Sequence, residues 1–108
     1  MKKQFITVVM LFSLSSIAMA DQCVQNNNKV GFVGLDSTDG GTRQGNLFVS
    51  VSNHNNGCGC SHFRFYSGNT DTKSALSILL TARTTEKPVR IDLLDSTNCD
   101  SAYRVYIQ

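Results

Sequence analysis

The sequence lacks the residue patterns on which most catalytic sites are built. No Gly-x-Ser-x-Gly elbow occurs in its 108 residues, and only His54 and His62 are present to act as a base. Gly40-Gly41 has neither the lysine nor the following helix of a phosphate-cradling loop. The carboxylates Asp92 and Asp95 read as solvated positions around the end of a strand, not as a paired acid and base. A non-enzymatic protein with no cofactor is expected.

Also absent is an apolar run long enough to span a bilayer, which takes roughly 20 residues. The longest candidate, residues 6–18, follows Lys2 and Lys3 and precedes the small-x-small ending Ala18-Met19-Ala20. These are the three parts of a secretory signal peptide. Residues 1–20 are therefore expected to be a leader cleaved near Ala20, and residues 21–108 a single domain, secreted or periplasmic. Asp21, not a cysteine, follows the cut, so no lipid or other membrane anchor is expected.

A basic excess is missing as well. The chain carries ten Lys and Arg against eight Asp and Glu, and the leader holds two of the lysines and no acid. The domain is then formally neutral, whereas nucleic-acid binders carry a basic face. A nucleic-acid partner is not expected, nor an anionic membrane surface.

What the domain does have is four cysteines, Cys23, Cys58, Cys60 and Cys99. In a small exported chain an even number of cysteines reads as disulfides, here two, which supplement a core limited by size. Around them the apolar residues alternate with period two in five places. The first is residues 29–35, with Val30, Phe32 and Gly34 on one face and Val33 and Leu35 on the other. The second is residues 46–52, with Leu47, Val49 and Val51 inward. The third is residues 61–66, with Phe63 and Phe65 inward. Asp39-Gly40-Gly41 and the stretch from Asn53 to Gly59 supply the turns between them.

The period then changes. Residues 72–83 place Ala75, Leu76, Leu79, Leu80 and Arg83 on one side of a helix, with Thr70 or Asp71 available as N-cap and Pro88 beyond its end. Val89, Ile91 and Leu93, then Tyr103, Val105 and Ile107, mark two further strands. The order strand, strand, strand, helix, strand, strand is that of a five-stranded OB-like barrel, mainly β with one helix. In that topology the start of the first strand, the loop between the second and third, and the loop between the fourth and fifth share one end. All four cysteines fall there. Because the third strand lies beside the fifth, Cys60 is favoured to pair with Cys99 and Cys58 with Cys23; the swapped arrangement stays open.

Two histidines flank two cysteines in His54-Asn-Asn-Gly-Cys58-Gly-Cys60-Ser-His62, the ligand types of zinc and copper, but the spacing matches no zinc signature and the cysteines have a competing use. No metal is expected. A redox role would call for Cys-x-x-Cys at a helix N-terminus, whereas this pair precedes a strand. The outer face of the second and third strands, which OB barrels use for oligosaccharides or oligonucleotides, would carry Phe48, Ser50, His62, Arg64 and Tyr66.

The run Leu79-Leu80-Thr81-Ala82-Arg83 and Lys87-Pro88-Val89-Arg90-Ile91, leading from the helix into the fourth strand behind a signal peptide, resembles the binding subunits of bacterial A-B toxins of the pertussis-like and subtilase kind. The likeness covers about the last forty residues. It implies a pentamer that binds a host glycan or receptor and carries a separate catalytic chain. The Cys58-Gly-Cys60 arrangement and the short chain after the fifth strand depart from that pattern, and none of the family's sugar-binding residues maps onto a position here. A glycan- or receptor-binding module is expected; the alternative is a monomeric periplasmic inhibitor, immunity factor or structural accessory.

Overall fold

The structure is a computed structural model, and it describes residues 21–36, 45–53 and 55–108. The expected leader, the Asp39-Gly40-Gly41 turn and His54 lie outside the described residues. Five strands and one helix follow in the expected order: β1 (Cys23–Asp36), β2 (Asn46–Ser52), β3 (His62–Phe65), α1 (Thr72–Thr85), β4 (Val89–Leu93) and β5 (Ala102–Ile107), with a 3₁₀ turn at Cys99–Ser101 leading into β5. The sheet closes in a ring, β1-β2-β3-β5-β4, antiparallel except where β3 meets β5 at Phe65 and Ala102.

Alternation explains which residues fill the ring. Leu47 and Val49 of β2, Phe63 and Phe65 of β3, and Val89, Ile91 and Leu93 of β4 are all fully buried, and Val51 nearly so. Burying such a side chain is worth about 1.5–3 kcal/mol. The helix adds Ala75, Leu79 and Ala82, spaced four and three apart, and packs on β5, β1 and β2. Leu80, expected on this stripe, points away and is 44% exposed, because the buried stripe is centred on Leu79. Asp71 caps the helix, its Oδ1 accepting from the Lys73 and Ser74 amides. At the other end Glu86 takes a left-handed conformation (φ 57°), and the Lys87 N–H donates to the Ala82 carbonyl, so a backbone motif closes the helix before Pro88 is reached.

β1 is twice as long as its alternating part because it serves two neighbours, β4 with its first half and β2 with its second. It is irregular twice. Between Gln25 and Asn28 the register with β4 shifts, with Asn27 at φ 61°, a region that asparagine tolerates better than most residues. Between Val30 and Val33 it shifts against β2, so that Gly31 and Phe32 together oppose Ser50. A Cβ at position 31 would fall 2.5 Å from Ser50 Oγ, so a larger residue there would push the Ser50 hydroxyl off the Phe32 N–H. The second shift reverses the phase of the strand: Val30 and Val33 both turn inward, while Phe32 turns out. The expected grouping of Val30 with Phe32 is corrected accordingly.

The disulfides are Cys23–Cys58 and Cys60–Cys99, each with Cα atoms 5.9 Å apart. A buried pair of amides organises their end of the barrel. Gln25 Oε1 accepts from the Cys58 and Cys60 amides (2.9 and 3.2 Å), and its Nε2 donates to the Cys60 carbonyl and to Asn28 Oδ1. Asn28 Nδ2 donates to the Gln25 and Val89 carbonyls, while its Oδ1 also accepts from Asn53. Both side chains thus fill all four of their hydrogen-bonding positions without water, as full burial demands. Among the described residues no helix is long and apolar enough to cross a membrane.

Candidate functional site

The outer face of β1, β2 and β3 is a grid of two cross-strand rows. Gly34, Phe48 and Arg64 form one row, since Gly34 pairs with Phe48 and Phe48 with Arg64. The bulge residue Phe32, Ser50 and His62 form the next. Phe48 is the centre. Its ring lies 5.3 Å from the His62 ring, stacked, and 5.8 Å from the Phe32 ring, tilted, while the Arg64 guanidinium sits over it at 5.3 Å. Such ring separations lie in the range where aromatic pairs attract beyond their buried area.

The end of that row away from Arg64 carries no side chain. A Cβ built on Gly34 meets no atom of the described residues within 4 Å, so strand backbone lies beside Phe48 there. Phe32 stands at the rim, 57% exposed, and extends the apolar surface of Phe48 outward. Its own N–H donates to Ser50 Oγ at 2.9 Å, which leaves the hydroxyl proton to donate elsewhere. The His62 ring is exposed, with Ser61 Oγ 3.1 Å from its Nδ1.

Arg64 also reaches across to the segment between β4 and β5. Its guanidinium donates to Asp100 Oδ2 at 3.1 Å. Asp100 is placed by its neighbours: Cys99 is tied to Cys60 just before β3, and Asn98 Oδ1 accepts the Asp100 N–H. Asp95 shapes the same segment, its Oδ1 accepting from the Thr97 hydroxyl and then its amide, which hold this carboxyl below the usual carboxylate range.

Of the residues expected on this face, Phe48, Ser50, His62 and Arg64 come together. Tyr66 falls one position beyond β3 and is half-buried; its carbonyl accepts from Asn69 in a turn. Phe32, Gly34 and Asp100 belong to the face and were not foreseen. Asp100 could have been: it adjoins Cys99, and the convergence of the cysteines already placed that loop beside the third strand. Cys58 and Cys60 are committed to disulfides, so their thiolates are not on offer to a metal.

A second charged cluster covers β4 and β5. Asp92, expected to be solvated, is buried under Arg90 and Arg104, whose Nε atoms each donate to it at 2.8 Å. The alternation was right to point Asp92 outward; two long side chains then close over it. Arg90 lies over Tyr106 and Arg104 over Tyr103. A shallow depression of about 250 Å³ on α1 is lined by Leu80, Thr81, Thr84 and Thr85. All three threonine hydroxyls donate back to carbonyls one turn earlier, so it presents no outward donor. Compared with known proteins, the chain matches no family model, no curated protein and no solved structure.

Proposed function

We propose that this chain is an exported, non-enzymatic binding module whose ligand, a glycan or a glycan-bearing receptor, docks on the outer face of β1, β2 and β3. The observation that carries the reading is the Phe48 cluster. A sheet face that merely decorates a barrel has no need of an exposed phenylalanine at a bulge, nor of a bare backbone strip beside a second one. The position of the cluster, on strands two and three of an OB-like ring, is the face that such barrels use for oligosaccharides. Export is supported by the two disulfides and by the leader pattern of residues 1–20. The resemblance to toxin binding subunits rests on the residues quoted for it and adds a pentamer to the proposal.

The test is binding to an immobilised glycan set by the oxidised protein and its Phe48→Ala variant. Phe48→Ala should abolish detectable binding; retention at full strength removes this face from the proposal. Native mass spectrometry of the same sample should show a pentamer, and a monomer would leave the binding face but discard the toxin-subunit assembly. N-terminal sequencing of secreted material should begin at Asp21.

A further inference from the structure

We infer that the ligand on this face, granted the binding reading above, is a neutral pyranose, held by its apolar C–H face against Phe32 and Phe48 over the Gly34 strip and read through its hydroxyls by Arg64, Asp100 and Ser50. Three observations converge on that chemistry. The first is shape. Gly34 leaves a flat shelf of backbone one residue wide, bounded by Phe48 beside it and Phe32 on the adjoining row. A six-membered sugar ring, with axial C–H groups on one face, rests on such a shelf; a side chain at position 34 would occupy the same space.

The second is charge. Among the described residues the Arg64 cation is matched by the Asp100 carboxylate, 3.1 Å away. An anionic ligand would gain little from a guanidinium that is shared and would meet the Asp100 carboxylate directly. Among the described residues of these three strands, the one other cation is Lys29, which pairs with Ser52, one row beyond Ser50, at the edge of the grid. A nucleic-acid strand needs a train of cations to replace its counterions, and the described residues of this face do not form one.

The third is hydrogen-bond sense. Asp100 is 41% exposed and uses Oδ2 for Arg64, which leaves acceptor capacity toward solvent. The guanidinium donates, the carboxylate accepts, and the Ser50 hydroxyl does either. Adjacent sugar hydroxyls both donate and accept, so a paired acid and guanidinium read them together through charge-assisted bonds. The open shape implies weak binding, with a dissociation constant of about a few millimolar for a single sugar unit.

An NMR titration of the ¹⁵N-labelled, oxidised protein tests this, with lactose, maltose and N,N′-diacetylchitobiose as neutral probes and 3′-sialyllactose and single-stranded oligothymidine as charged ones. At least one neutral disaccharide should shift the amides of Phe32, Gly34, Phe48 and Arg64. Gly34→Val and Asp100→Ala should each weaken that binding about tenfold or more. Gly34→Val adds its side chain in open space, so an unchanged melting temperature separates a lost shelf from a lost fold. Binding of sialyllactose or oligothymidine, but of no neutral sugar, at these same amides overturns the neutral-pyranose class while leaving the face in place. Binding that spares these amides and survives Phe48→Ala overturns the face itself.

Discussion

On the β1-β2-β3 face Arg64 lies over Phe48 and donates to Asp100; on the β4-β5 face Arg90 lies over Tyr106 and, together with Arg104, donates to Asp92. The ingredients are the same and the depth of the acid differs. The Asp92 side chain is 2% exposed, and both of its oxygens are taken by guanidinium groups. Its hydrogen bond raises Arg90 above the ordinary arginine value, while Arg104 is raised chiefly by the Tyr103 hydroxyl. That cluster is closed on itself and fastens β4 to β5. Asp100 stands at the surface with one oxygen engaged. The buried acid ties two strands together, whereas the surface acid held by one arginine keeps an oxygen toward solvent.

The largest change expected along this divide is from removing the bridge that braces only one face. Cys60→Ser with Cys99→Ser opens a loop with a sequence separation of 39, which should cost about 3–4 kcal/mol in urea denaturation. Chemical shifts should move at His62, Arg64 and Asp100 and stay put at Arg90 and Tyr106. Equal movement on both faces would break the comparison. Next in size is Asp92→Ala, expected to cost about 2 kcal/mol, since two arginines lose a buried partner yet can turn toward water. Asp100→Ala should cost less, under about 1 kcal/mol, as pairs near the surface do, while weakening the proposed sugar binding about tenfold or more. Should the two aspartates prove equally important for stability, the distinction between a closed and a presenting face fails.

The smallest effect concerns acid. Asp71 is held below the usual carboxylate range first by the Ser74 hydroxyl and then by helix amides, and Asp95 by the Thr97 hydroxyl and amide. Each binds its proton more weakly folded than unfolded. The resulting stability is therefore present above about pH 4 and lost as pH falls through the lowered folded values. Asp71→Asn with Asp95→Asn should flatten the acid limb of a thermal-stability profile. An unaltered limb would assign the acid sensitivity to other carboxylates.

Much of this molecule was legible because period-two alternation survives wherever a strand is regular. β2, β3 and β4 bury the residues that the pattern named, and the topology deduced from strand order brought the cysteines into the favoured pairs. The pattern fails where register shifts. Alternation alone groups Val30 with Phe32, because a bulge adds a residue that periodicity cannot detect, although Gly31 marks the place where the strands approach. Asp92 was misjudged for another reason: facing outward and being solvated are different properties, and only the third dimension shows that Arg90 and Arg104 lie across it. Gln25 and Asn28 were silent, since a polar residue ahead of an alternating run gives no sign that an entire end of a barrel will hydrogen-bond to it.

That silent glutamine bears on how the crosslinks are chosen. Gln25 grips the backbone on both sides of Gly59, and it lies two residues from Cys23, so it arranges three of the four cysteines without touching any sulfur. An amide that holds the backbone at Cys58 and Cys60 thereby keeps each sulfur beside one partner rather than another. A chain with Gln25→Leu, refolded from the reduced state, is expected to yield mispaired bridges by peptide mapping, and native pairing at full yield would deny the amide that part.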